Sequence, residues 1–280
     1  MGSGTKCVGS GVFIVVLEGG AEEDDDLVLE HKAGSLYGSS QNENNGFMKI
    51  LDTDKQGCKM GITGTFTNAS PITNSVPATP VVITPDLSLA ANFKGALVYI
   101  NDLEGKITKF NLTNMSNDGK GNAIALYDNT TLFTAGSTST NGRYMYHSMD
   151  ATIGQTTNTL WLFAGTGDYE RIADSQAGND NLLLGIADPD YPFYRNVNIP
   201  TRAYDLSKCK NTTNDSSGAS CPQLTGDKGW YIQLKDSAKV TSEPTVSSGL
   251  VYFPTYKPSS SVNKCSLGDA FICAVDDECG

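Results

Sequence analysis

What most constrains this chain is its punctuation. Short apolar runs end again and again in clusters of Gly, Asn, Asp, Ser and Pro, and residues 229–280 are the clearest case. GWYIQL, GLVYFPTY and AFICAVD each have the spacing of a strand, and each break is a turn cluster. A chain cut this finely has no room for long helices. Periodicity finds no amphipathic helix longer than about two turns. Glycine is abundant, at 29 residues, while only 18% of residues are charged. That is the composition of many short strands joined by polar turns.

The runs recur as a unit of apolar strand, turn and shorter strand ending in Asp. Examples are GFMKILDTDKQG (46–57), ALVYINDLEGKITKFNLT (96–113), NTLWLFAGTGDY (158–169), NLLLGIADPD (181–190) and AFICAVDDECG (270–280). Their spacing, roughly 40 to 60 residues, suits propeller blades. The expectation is an all-β chain: a β-propeller of antiparallel four-stranded blades with long inserted loops, residues 1–280 forming one domain or part of one. Gly280 falls where a hairpin should continue, which predicts an incomplete propeller, a fragment of a longer protein. In the 96–113 hairpin, Asp-Leu-Glu-Gly makes the turn, Gly105 supplies the positive φ, and Val98, Ile100, Ile107 and Phe110 are expected to pack inward.

Three stretches resemble, in order, the propeller domain of the PilC/PilY family, adhesins associated with type IV pilus tips. Val98, Tyr99, Asp102, Leu103, Gly105, Lys109, Phe110 and Leu112 fit the first family pattern. Gly165, Thr166, Gly167, Tyr169, Asp174, Gly185, Ile186 and Asp188 fit the second. The closing stretch supplies the Gly-Trp-Tyr strand, the Val-Tyr-Phe strand, Cys265 and the final Asp-to-Gly turn. The likeness covers most of residues 79–280; ahead of it only ILDTDKQG (50–57) fits, and loosely. It implies a non-enzymatic module at the cell surface, exported through the periplasm and associated with the pilus. Pilus subunits, major or minor pilins, and a host or abiotic surface receptor are the implied partners. No signal peptide is visible, so the signal is expected upstream of this chain. The apolar run GVFIVVL (11–17) is far shorter than the ~20 residues that span a bilayer.

The net charge of −11 disfavours nucleic acid and suits cations or basic surfaces. His31 and His147 are the only histidines, and neither lies near a nucleophile motif. Gly165-Thr166-Gly167 lacks the third glycine and the Lys-Ser/Thr of a phosphate loop, so it reads as a bend at a strand end. A propeller enzyme of the quinoprotein dehydrogenase type is the alternative, and a purely structural scaffold is the third reading. A quinone site wants aromatic surface, yet Trp161 and Trp230 both sit in apparent strand cores.

Contact is expected from loops 34–46, 134–147 and 207–228, with Arg143, Tyr144 and Tyr146 as receptor-binding candidates beside an Asn-Gly turn. Calcium is the cofactor that the resemblance brings up. In the loop where the family carries its calcium ligands, this chain offers only Asp86, Ser88 and Asn92, and Leu87, Leu89, Ala90 and Ala91 break the rhythm. A second loop opens with Asp52 and Asp54 but has Thr63 where a bidentate Glu belongs. The seven cysteines favour an oxidising compartment, and the odd one implies a free thiol or an outside partner. Cys209 and Cys221 flank a polar loop that a disulfide would close; Cys273 and Cys279 can pair with each other or with Cys265.

Overall fold

The computed structural model describes residues 12–17, 30–32, 35–37, 47–53, 60–62, 74–83, 96–111, 129–172, 180–194, 204–214, 221–259 and 267–280. Where the sequence suggests one domain or part of one, contacts divide the chain into two compact units, Met1–Ser75 and Val76–Gly280. That boundary falls close to where the family resemblance begins. The described residues are all-β, with one short 3₁₀ turn, and no helix among them is long and apolar enough to cross a membrane.

In the first unit, β1 (Val12–Leu17) pairs antiparallel with β4 (Phe47–Thr53), which pairs with β5 (Met60–Ile62). A hairpin joins β2 (Glu30–Lys32) to β3 (Ser35–Tyr37). Asp52 lies in the β4 ladder, opposite Val12 and Gly61, rather than opening a loop.

Among the described residues the second unit holds three sheets. The first is an antiparallel meander of β6 (Val81–Ile83), β7 (Leu97–Asn101), β8 (Lys106–Asn111) and β9 (Asn129–Thr134). The second is a meander of β10 (Asp150–Ile153), β11 (Leu160–Gly165), β12 (Leu182–Asp188) and β15 (Gly229–Gln233). Between β12 and β15 in the chain come β13 (Tyr204–Asp205) and β14 (Lys210–Asn211). They add one short parallel strand to each sheet: β13 beside β9, β14 beside β15. A 3₁₀ turn, Leu206–Lys208, joins them, and the Asp205 carboxylate caps it by accepting from the Ser207 N–H. The third sheet centres on β18 (Leu250–Lys257). One edge of β18 is taken by β19 (Asp269–Asp276), the other by β16 (Lys239–Val240) and β17 (Thr245–Ser247) end to end.

The sheets pack face to face in chain order. Leu160, Leu162 and Ala164 with Leu182, Leu184 and Ile186 face the first sheet and share a core with Leu97, Tyr99, Ile107 and Phe133. Trp161, Phe163, Leu183 and Ala187 face the other way and meet Trp230, Val240, Val251 and Phe253. Burial on both sides is why LWLFAG and LLLGIAD read as unbroken apolar runs rather than alternating ones. The expected hairpin turn forms, with Gly105 at φ +68°. All four residues expected to pack inward are buried, but not on one face. Ile107 joins the core with Leu97 and Tyr99, while the register puts Val98, Ile100 and Phe110 on the opposite side.

Glycines set how closely the second and third sheets approach. A Cβ on Gly165 would lie 2.4 Å from Val240 Cγ2, and one on Gly167 would lie 2.8 Å from Lys239 Cβ. The Gly-Thr-Gly bend is therefore a crossing point, and Thr166 between them bonds both ways: its N–H to Leu182 O, its carbonyl to Val240 N.

Candidate functional site

The most chemically distinctive surface lies on the strap between β9 and β10. The strap is set up by a turn in which Asn141 Oδ1 accepts from the N–H groups of Thr138 and Arg143, and Thr138 Oγ1 accepts from Asn141 N–H. Gly142 closes it at φ +62°. The chain then runs extended across the two sheets. Tyr144 O accepts from Gly167 N–H at 2.9 Å, and Asn101 Nδ2 donates to Met145 O and His147 O. Met145 and Met149 enter the core, which leaves Tyr144, Tyr146 and His147 only partly covered.

Tyr169, just past the end of β11, completes a run of four rings. Tyr144 and Tyr146 meet edge to face at 6.3 Å, Tyr146 and Tyr169 tilted at 6.3 Å, and Tyr169 and His147 edge to face at 5.4 Å. Tyr169 is 52% exposed. Burial first, then the carboxylates of Asp168 and Glu170, push the Tyr146 phenol up to about 12. Burial lowers the pKa of His147 against the opposing pull of Glu243. Its Nε2 is buried with no hydrogen-bond partner. Arg171 donates through Nε to Asp168 Oδ2 at 2.5 Å, so that cation is already matched.

The sequence candidates Tyr144 and Tyr146 are thus brought together. Arg143 is not part of the ring run: its Nε donates to Asp180 O and its Nη1 to Ala135 O, which anchors the strap instead. Tyr169 and His147 were not singled out for contact. An aromatic two residues past a strand-ending Gly-Thr-Gly falls near a sheet end, and that signal was available for Tyr169.

Of the calcium candidates, Asp86, Ser88, Asn92 and Asp54 lie outside the described residues. Among the described residues no group of three or more His, Cys, Asp or Glu is placed to hold a metal. The cysteine pairing needs correction. Cys221 pairs with Cys279, across 58 residues, and Cys209 and Cys273 are free thiols. The spacing argument closed the polar loop between Cys209 and Cys221 and left Cys273 and Cys279 to pair with each other or with Cys265. Instead the final turn docks on Trp230, whose Nε1 donates to Asp277 O, and this carries Cys279 to Cys221. Cys209 turns into the core, where burial pushes its thiol up to about 12. Cys273 is held mid-strand opposite Phe253, out of reach of the turn.

A second polar cluster lies wholly inside. Lys109 Nζ reaches Asp188 Oδ2 at 2.5 Å, and the Tyr99 hydroxyl donates to the same oxygen at 2.6 Å. Lys109 also donates to Phe193 O and lies over the rings of Tyr99 and Tyr194. Lys109 and Asp188 are each 1% exposed, so the cluster joins two sheets rather than facing a ligand.

No protein-family model matches the chain. It is 24% identical over 200 residues to the type IV pilus biogenesis factor PilY1 homolog of Xylella fastidiosa, covering 66% of this chain and 13% of that protein. The PilC/PilY resemblance is borne out. Among solved structures the chain is similar to the C-terminal domain of Pseudomonas aeruginosa PilY1, with a TM-score of 0.48 at 16% identity, covering 84% of this chain and 53% of that one. Several of the residues that carry the PilC/PilY resemblance are scaffold, while Tyr169 stands exposed in the ring run. Tyr99, Lys109 and Asp188 form the buried cluster, and Gly165, Gly167 and Gly185 allow close approach between sheets or to Trp230.

Proposed function

We propose that this chain is a non-enzymatic contact module of a type IV pilus-associated surface protein, built as part of a β-propeller. The likeness to the PilY1 homolog across 66% of the chain carries the reading. Packing supports the propeller: antiparallel meanders stacked face to face in chain order are how successive blades lie. The outer face of the third sheet carries Leu250, Tyr252 and Ile272, from 37% to 72% exposed, and a propeller covers such a face with a neighbouring blade. The ring run on the β9–β10 strap is the contact surface, and the sheets below it are the rigid mount. Pilins are the partners in assembly, and a surface receptor is the partner in adhesion. Trp161 and Trp230 are spent on packing, both at 0% exposure, which counts against a quinone site.

The test is genetic. In cells carrying the full-length protein, Y144A/Y146A should lower surface attachment several-fold while pilus number, counted by electron microscopy, stays constant. Deleting residues 76–280 should lower both. Unchanged attachment and unchanged pilus number in the deletion strain would overturn the proposal.

A further inference from the structure

The turn that sets up the strap is built on a reactive dipeptide. Asn141 precedes Gly142, and the chain carries the same pair at Asn45-Gly46. In an Asn-Gly pair the backbone nitrogen of the glycine can attack the asparagine side-chain carbonyl, because glycine has no Cβ to crowd the approach. The N–Cγ bond forms, the Cγ–Nδ2 bond breaks, and ammonia leaves with the proton of the glycine amide. Water then opens the five-membered succinimide at either carbonyl, giving Asp or isoaspartate. The native turn opposes the first step from both sides. Gly142 N–H donates to Thr138 O at 3.1 Å, so the attacking amide is held in a hydrogen bond. The Asn141 side chain is held by three more. Its Nδ2 donates to Gly136 O at 2.8 Å, and its Oδ1 accepts from Thr138 N–H at 2.8 Å and from Arg143 N–H at 3.2 Å.

We infer that Asn141 is a deamidation site which the closed turn protects, and whose products unseat the strap that the turn anchors. The Asp product puts a carboxylate oxygen where Nδ2 faced Gly136 O, so a bonded donor becomes an acceptor against an acceptor. Isoaspartate goes further, because it routes the main chain through Cβ and Cγ and adds one backbone atom ahead of Gly142. The seat of the strap depends on that register. Tyr144 O accepts from Gly167 N–H, and Met145 O and His147 O accept from Asn101 Nδ2. An added atom just upstream displaces all three acceptors. The effect on contact through Tyr144 and Tyr146 rests on the contact-surface reading above; the deamidation itself does not.

The test ages the full chain at mildly alkaline pH, folded and in urea, and follows the tryptic peptides 121–143 and 33–49 by fragment mass spectrometry. In urea, Asn141 and Asn45 should deamidate at similar rates, well ahead of Asn129, which precedes Thr130. In the folded chain Asn141 should be slower than in urea by about ten-fold or more, since the turn must first open against several hydrogen bonds. Ageing in an N45Q background isolates Asn141. Once it has turned over, the Gly167 N–H should exchange faster by NMR, and unaged N141D should move the same way by a smaller amount. Equal rates folded and in urea, a rate in urea no faster than that of Asn129, or full protection of Gly167 after deamidation each overturn the inference. Attachment of cells carrying N141D in the full-length protein separates the two readings. Loosened Gly167 with normal attachment leaves the modification site and removes the contact surface. Lost attachment with Gly167 still protected leaves the contact surface and removes the inference.

Discussion

The first and third sheets of the Val76–Gly280 unit are both fastened to the second, by opposite means. Between the first and second, a charged group is buried: Lys109, Asp188 and Tyr99 bond to one another inside an apolar core. Between the second and third the core is apolar and aromatic, with Trp230 set between Phe163 and Phe253, and the buried Lys239 ammonium donates to the backbone carbonyls of Arg171 and Ile172 rather than to a carboxylate of the facing sheet. Ties at one end reinforce it. The Cys221–Cys279 disulfide is one, and Glu278 accepting from the Thr156 and Thr157 N–H groups at 2.7 and 2.8 Å is another. The difference teaches what each chemistry is good for. An apolar face accepts many alignments and gains from all of them. A buried ion pair adds little net stability, but it penalises every alignment that separates its partners.

The sharpest way to break the contrast is Lys109→Ala. It leaves Asp188 buried without its cation and should cost about 3–5 kcal/mol in urea unfolding, while K109M/D188L should recover most of that loss. Hydrogen exchange should rise in β7 and β8 and much less in β18. Cys279→Ser should do the reverse, costing about 2–4 kcal/mol and raising exchange in β18 and β19 first. Equal loosening of both interfaces by either variant would mean that the sheets melt as one body. Gly185→Ala sharpens the apolar side: a Cβ there would lie 2.3 Å from Trp230 Cε2. It should cost about 1–3 kcal/mol, since the indole has no room to move.

The smallest effect is a pH slope. Burial raises the Asp102 carboxyl from 3.8 to about 6, against the bonds it accepts from the Lys106 and Glu104 N–H groups. The folded state therefore holds this proton more tightly than the unfolded chain. The associated stability is fully present below pH 3.8 and is lost as pH rises through about 6. The slope should not exceed about 1.4 kcal/mol per pH unit in that window, and Asp102→Asn should flatten it.

Much of the scaffold was legible because its determinants are local. A strand buried on both faces writes an unbroken apolar run, as β11 and β12 do. A tight turn writes Asp-Leu-Glu-Gly, and its glycine took the left-handed conformation expected of it. What stayed hidden depends on partners far apart in sequence. Lys109 and Asp188 each look like an ordinary strand charge until two sheets close over them. The disulfide was misread because spacing reports the loop between two cysteines, not the docking of a final turn on Trp230. Of the ring run, Tyr144 and Tyr146 could be read from one loop, while Tyr169 and His147 join them only because the strap crosses the end of β11.

The segment from β13 to β14 belongs to two sheets within eight residues. Each of its parallel ladders pairs only two residues and would peel readily alone. Joined through the capped turn, they act as a splice: pulling the first sheet from the second loads both ladders together, and neither can open residue by residue. An interface built this way holds its shape under tension up to a threshold and then yields at once.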